Sequence, residues 1–208
     1  MIRKITLAAL MCGLCFSVSG VRAQQPSPAA RDKRSLIVYK GDLAALLAQL
    51  ALQYKVNIGF ETIPSQPRPA IELDTHFTTL EELLDAIIVA DPRYQWRNSD
   101  GFIDVFPKAG SCALLDTTIS TFQISNTGWS MATEILTSLP EVQSQMSALH
   151  LSRRDFPRDS HNSSVNLLSI SLKEVTLRRA LHEMMKASGG SFWIFERPRG
   201  TEFFSISN

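Results

Sequence analysis

A segment in the first half of the chain, residues 79–96, returns as residues 176–193 after a constant shift of 97 positions. Five of the eighteen aligned positions are identical, namely Thr79, Leu80, Leu84, Ala90 and Trp96 with Thr176, Leu177, Leu181, Ala187 and Trp193. In both copies, apolar residues recur at i, i+3, i+4, i+7 and i+8, which is one face of an amphipathic helix. The spacing predicts two copies of one small unit, and two unrelated amphipathic helices are the alternative.

The first copy belongs to a longer stretch, residues 35–108, whose pattern predicts the order β, α, β, β, α, β, β. The first helix has an apolar stripe that we expect to face the core, and it consists of Leu43, Leu46, Leu47, Leu50, Ala51 and Tyr54. A capping box, Thr78 with Glu81 or Thr79 with Glu82, opens the second helix. The expected strands are 36–39, 56–60, 71–73, 94–96 and 102–106.

Residues 109–118 are predicted to be a linker, and residues 119–208 a diverged second copy with an irregular insertion at 143–164. A helix that ends before Pro140 is expected to bury one face, formed by Trp129, Ala132, Leu136 and Leu139 and widened by Met131 and Ile135. The other expected elements are strands at 119–124, 168–172, 192–196 and 202–206 and a helix at 176–187. The predicted fold class is therefore α+β, with two tandem small βαββαββ-type units.

The N-terminus has the pattern of a secretory signal peptide. Two basic residues precede an apolar run, and Val21 and Ala23 are the small residues that suit a signal peptidase. We expect residues 1–23 to be removed, so that the mature chain begins near Gln24, in the periplasm or outside the cell, with a flexible lead over 24–34. An uncleaved membrane anchor is the alternative, although the run is shorter than the roughly 20 residues that a bilayer requires, and a lipoprotein is another.

The charge of the mature chain argues against one class of partner. Removal of the signal peptide leaves 18 Lys and Arg residues against 20 Asp and Glu residues, a net charge of about −2. Nucleic acid is a poor candidate, because its binding depends on a basic surface that releases counterions. Cys112 is the one cysteine left, so it cannot form an internal disulfide, and it is either a small buried residue or an intermolecular bridge.

The stretch 35–108 resembles the secretin and TonB short N-terminal domain, a small α/β module at the periplasmic front of outer-membrane secretins and of some TonB-dependent receptors. The resemblance rests on the helix at 43–54, the strand after it, and the residues Thr79, Leu80, Leu83, Leu84, Ile87, Tyr94, Trp96, Ile103 and Val105. It implies a periplasmic module that docks onto another protein. In the family a barrel or secretin domain normally follows the module, whereas this chain ends after the second unit, so we expect the docking role without a pore.

The charged part of the insertion holds the candidate chemistry. Asp155, Asp159 and His161 could bring two carboxylates and an imidazole together, but their spacing fits no metal or catalytic-triad template. The arginines of the same segment are better suited to a polar contact with an acidic partner, because a planar guanidinium matches a carboxylate. The candidate partner contacts are Arg153, Arg154 and Arg158.

The two tryptophans are interpreted as core residues at the ends of strands. If the strands of Trp96 and Trp193 lie at sheet edges, those edges could accept a strand from a partner. His182 is placed on the polar side of its helix, beside Arg178 and Arg179, and no partner is implied for it.

These patterns predict a non-enzymatic periplasmic protein-interaction or assembly module of the cell envelope. We expect it to dock on an outer-membrane secretin, a receptor, or a pilus or secretion component, without a cofactor or metal, without nucleic acid and without a membrane span in the mature chain. The alternatives are a small exported hydrolase that uses the 155–161 loop and a soluble sensor that holds a small ligand between the two units.

Overall fold

The computed structural model of the protein describes residues 35–64, 70–153, 166–197 and 203–207. The first half, residues 35–108, contains β1 (Ser35–Asp42), α1 (Leu43–Tyr54), β2 (Asn57–Glu61), β3 (Ala70–Phe77), α2 (Leu80–Ala90), β4 (Tyr94–Ser99) and β5 (Phe102–Pro107). The second half, residues 118–207, contains β6 (Thr118–Thr127), α3 (Trp129–Thr137), α4 (Pro140–Ala148), β7 (Ser152–Arg153), β8 (Leu168–Thr176), α5 (Leu177–Ala187), β9 (Phe192–Glu196) and β10 (Phe203–Ser207). The predicted α+β class is confirmed.

Strands of both halves join in one six-stranded sheet with the order β4-β5-β2-β9-β10-β7. β2 is the joint, since it pairs in parallel with β5 on one side and with β9 on the other. The pairings recur in the two halves with the same sense. β1 with β3 and β6 with β8 are antiparallel, β4 with β5 and β9 with β10 are antiparallel, and β2 with β5 and β7 with β10 are parallel.

The helices α2 and α5 begin and end at positions that differ by 97 residues, as the aligned segments predict. Thr79 and Thr176 are their N-cap residues, and each hydroxyl oxygen accepts a hydrogen bond from the backbone N–H three residues later at 3.2 Å. Of the two expected pairs, Thr79 with Glu82 makes the N-cap hydrogen bond, and the Glu82 carboxylate accepts from the backbone N–H and the hydroxyl of Thr78. The α1 stripe is buried apart from the partly exposed Tyr54.

The two hydrophobic cores meet at β9. Trp193 and Phe195 belong to the core of the second half, and Ile194 belongs to the core of the first half. Successive side chains of a strand point to opposite faces, so a central strand can serve a core on each side. Of the two strands that carry tryptophan, β9 is therefore interior, and β4 is one of the two end strands in the sheet of described strands.

Two sequence predictions need correction in the second half, and the segment before it that was expected to be a linker contains a short helix. Pro140 stops α3 but also begins α4 as its first residue, a position where its missing N–H costs nothing, so the start of the expected insertion is helical. Met131 and Ile135 do not widen the buried face, because they are 47 % and 37 % exposed. The linker contains a 3-10 helix, Ala113–Asp116, with two buried leucines.

None of the helices in these described ranges has the length and apolarity needed to cross a membrane.

Candidate functional site

A cluster of buried polar side chains lies where the two halves meet. We call it the junction cluster, and it comprises Glu61, Asp104, Arg178, His182 and Trp193, each no more than 3 % exposed. The two carboxylates come from β2 and β5 of the first half, and the other three side chains come from α5 and β9 of the second. Every charged contact within the cluster therefore joins one half to the other.

The Glu61 carboxylate forms a buried ion pair with Arg178. Arg178 Nη2 donates to Glu61 Oε2 at 2.8 Å, and Ser111 Oγ donates to the same oxygen at 2.9 Å. The other oxygen accepts from the backbone N–H of Cys112. A buried carboxylate is tolerated when its oxygens are bonded in this way, because each donor replaces lost water.

Asp104, His182 and Trp193 form a chain of hydrogen bonds. Trp193 Nε1 donates to His182 Nδ1 at 3.2 Å, and an indole nitrogen can only donate. The proton of the neutral imidazole must then lie on Nε2, which donates to Asp104 Oδ1 at 2.8 Å. Both ring nitrogens of His182 are occupied, so the ring does not present a free base to a substrate.

The pKa of Asp104 is lowered by its partners. Burial by itself raises the pKa of the carboxyl, but the hydrogen bond from His182, the nearby charge of Arg178 and the hydrogen bond from Arg97 Nε at 3.1 Å outweigh it. The carboxylate is thus held ionised by three groups, two on α5 and one on β4.

Close packing accompanies these bonds. A Cβ atom added to Gly59 of β2 would lie 2.4 Å from Cζ2 of Trp193, so only glycine lets the indole lie against this strand. Cys112 is also buried here, and burial raises the pKa of its thiol. The arrangement fixes the register of β2 against β9. Arg178 Nε and Nη1 are buried without a hydrogen bond, 3.7 Å from Asp116 and 3.8 Å from Asp104 respectively.

A crevice of about 570 Å³ opens beside the cluster, between the β4–β5 turn and the β8–α5 connection. Its charged lining residues are Arg97, Asp100, Asp104, Glu174, Arg178 and Arg179. Arg179 is already bonded, with Nη1 3.3 Å from Asp100 and Nη2 2.9 Å from Glu183. It also stacks on the Phe102 ring at 4.4 Å. Across the part of the chain that the structure describes, no group of three or more His, Cys, Asp or Glu residues is placed to hold a metal ion.

The predicted partner contacts have different outcomes. Arg153 lies in β7 and is half-buried, with Nη1 donating to Thr137 Oγ1 and Nη2 to Thr133 Oγ1, both at 3.2 Å. Its guanidinium therefore reaches α3 of its own chain. Arg154, Arg158, Asp155, Asp159 and His161 lie outside the described residues.

The cluster was missed because Arg178 and His182 were assigned to the polar side of α5, and this prediction is wrong. They follow the buried Leu177 and Leu181 directly, and the covered face of α5 is wide enough to include both. A signal was present in β5, where Asp104 interrupts the run Phe102–Pro107 between Ile103 and Val105. A carboxylate in the middle of an apolar strand needs a buried partner.

The outer edge of β4 has no pairing strand among the described residues. In an antiparallel pair alternate residues bond to the neighbour, and Lys108 N donates to Arg93 O at 2.8 Å. The backbone groups of Gln95 and Arg97 therefore face β5, and those of Trp96 and Asn98 face outward. At the corresponding edge of β9, Phe195 O accepts from Thr62 N at 3.0 Å.

The helix above β4 also repeats the arrangement at β9. Trp96 Nε1 donates to Asp85 Oδ1 at 2.8 Å, and the shift of 97 relates this pair to Trp193 and His182. Glu81 of α2 corresponds likewise to Arg178 of α5. We call the outer edge of β4 together with Glu81 and Asp85 the open end surface. Both carboxylate residues are exposed.

Comparisons with family models, curated proteins and solved structures found no match for this chain.

Proposed function

We propose that the protein is a non-enzymatic docking or assembly module of the periplasm, built from two tandem βαββαββ-type units of which the first resembles the secretin and TonB short N-terminal domain. Its partner is an outer-membrane secretin, a receptor, or a pilus or secretion component. The recurrence of the strand pairings in both halves supports the tandem arrangement, as do the matched bounds of α2 and α5.

One observation carries the docking proposal, namely the outer edge of β4, which has no pairing strand among the described residues. β9 has the corresponding edge filled by β2, which pairs with it over four residues. The same kind of edge is thus covered in one half and open in the other. An added strand gains backbone hydrogen bonds at such an edge, which is a common mode of peptide recognition. The pairing of β4 with β5 is regular over all six residues, so no bulge blunts the edge.

The described polar groups favour docking over the alternatives. The carboxylates of Glu61 and Asp104 and both ring nitrogens of His182 are already hydrogen-bonded, which leaves them poorly suited to bind and turn over a substrate. The crevice between the halves suits the sensor alternative in position, but its arginines already pair within the chain. The hydrolase alternative depends on the 155–161 loop, which lies outside the described residues.

The proposal is tested by site-specific photo-crosslinking in cells that export the protein. A photoreactive residue in place of Asn98 should capture an envelope protein, whereas the same residue in place of Gln123 on the exposed side of β6 should not. Asn98→Pro removes an outward N–H and should abolish the crosslink formed from a second photoreactive residue at Ser99. Asn98→Ala is the matched control and should keep it. Capture that is equal from both sites and insensitive to proline would overturn the proposal.

A further inference from the structure

The covered edge of β9 shows what an occupant of the open end surface has to provide. We infer that the strand that docks on β4 runs parallel to it and carries a Lys or Arg residue two positions after a glycine. This inference rests on the proposed docking function and adds the chemistry of the partner.

The parallel direction of the docking strand and its glycine are both inferred from the way β2 pairs with β9. β2 is parallel to β9, and in its register Gly59 pairs with Trp193 while Glu61 pairs with Phe195. The shift of 97 carries these two positions of β9 to Trp96 and Asn98 of β4. Since the indole of Trp193 lies where a Cβ at Gly59 would be, a strand seated the same way needs a small residue opposite Trp96.

The basic residue follows from a reversal of charge on the helix. In α5 the side chains that meet the covering strands are hydrogen-bond donors, Arg178 and His182, and the covering groups are the carboxylates of Glu61 and Asp104. In α2 the corresponding side chains are Glu81 and Asp85, which are acceptors with negative charge. Glu82, whose carboxylate accepts from Thr78, adds further negative charge to the same turn. A strand that complements these carboxylates must therefore carry a hydrogen-bond donor with positive charge. The position opposite Asn98 corresponds to that of Glu61 opposite Phe195, so we place Lys or Arg there.

The test is an NMR titration of the full-length mature chain with short synthetic peptides. One peptide has Gly-Val-Lys at its centre, the second has Gly-Val-Glu, and the third has Val-Val-Lys. The Gly-Val-Lys peptide should shift the amide signals of Trp96 and Asn98 and bind about fivefold more tightly than Gly-Val-Glu, since each exposed ion pair contributes little. The Val-Val-Lys peptide should bind more weakly than Gly-Val-Lys.

Two double variants show whether the carboxylates cause the difference. Glu81→Gln with Asp85→Asn keeps the acceptor for Trp96 and should remove the preference for lysine over glutamate. Asp74→Asn with Glu134→Gln makes the same charge change at exposed sites elsewhere and should leave the preference intact. The preference should also shrink at high salt, where exposed charges are screened.

The outcomes separate the inference from the proposed function. Equal binding of the lysine and glutamate peptides, abolished by Asn98→Pro, would overturn the inference and leave docking at β4 standing. Tighter binding of the glutamate peptide would overturn it as well. Shifts that avoid Trp96 and Asn98, or no shifts at peptide concentrations on the order of 1 mM, would count against both.

Discussion

β9 and β4 occupy corresponding positions in the two halves, and they differ in what lies beside them. Each strand has a tryptophan bonded to the helix above it, with Trp193 donating to His182 and Trp96 donating to Asp85. At β9 the strand β2 covers this arrangement, and the polar side chains of the junction cluster are buried. At β4 no described strand covers the arrangement, and the helix α2 carries carboxylates there. The comparison teaches that the same type of edge is an internal joint in one half, and that in the other half it is the surface where we propose that a partner docks.

The largest effect should come from the buried ion pair. Arg178→Met leaves the Glu61 carboxylate buried without its charged partner, and the free energy of unfolding should fall by about 3–5 kcal/mol. Arg179→Met is the matched control, since Arg179 is partly exposed, and it should cost at most about 1 kcal/mol. Urea unfolding of both variants measures the difference. Equal decreases in the free energy of unfolding would mean that the buried ion pair of Arg178 with Glu61 contributes no more than the exposed pairs of Arg179.

A smaller effect should distinguish the two tryptophans. Trp193→Phe leaves Nδ1 of the buried His182 without a donor, which should lower the free energy of unfolding by about 1–3 kcal/mol beyond the lost packing. Trp96→Phe removes a hydrogen bond to the exposed Asp85 and should cost about 1 kcal/mol or less. Thermal unfolding of the two variants makes the comparison. If Trp96→Phe were the more harmful change, the account of an open and a covered copy would fail.

The smallest effect should appear at acid pH. The pKa of Asp104 lies below its usual value of 3.8, so the unfolded chain takes up a proton first as pH falls. Asp104 therefore contributes stability above about pH 4 that is lost below it, at no more than about 1.4 kcal/mol per pH unit. Urea unfolding at pH 5, 4 and 3 should show a shallower loss for Asp104→Asn than for the unchanged chain. Parallel losses in the two proteins would contradict this assignment.

Local patterns predicted much of the first half. Leu43, Leu47 and Leu50 recur at helical spacing, so α1 and its buried face could be derived from one segment. The matched N-caps Thr79 and Thr176 could be derived in the same way. Helical spacing and N-caps involve residues only a few positions apart, so a short segment of sequence is enough to predict them.

The joint between the halves could not be derived locally. Arg178 is 117 positions from Glu61, and no periodicity relates a helix residue to a distant strand end. The tryptophan edges were predicted as a pair, but only the pairing of β2 decides that Trp193 lies inside the sheet and Trp96 at its border. Pro140 was interpreted as a stop, and its second role as the first residue of α4 depends on how the chain turns after α3.

Hydrogen exchange of single backbone amides in the free protein tests the central comparison most directly. The N–H groups of Trp193 and Phe195 face β2, so they should exchange slowly, with protection close to that of global unfolding. Those of Trp96 and Asn98 face outward from β4 and should exchange faster by orders of magnitude, until a strand occupies the edge. Slow exchange of Asn98 in the free chain would show that this edge is already covered, and the docking account would be contradicted.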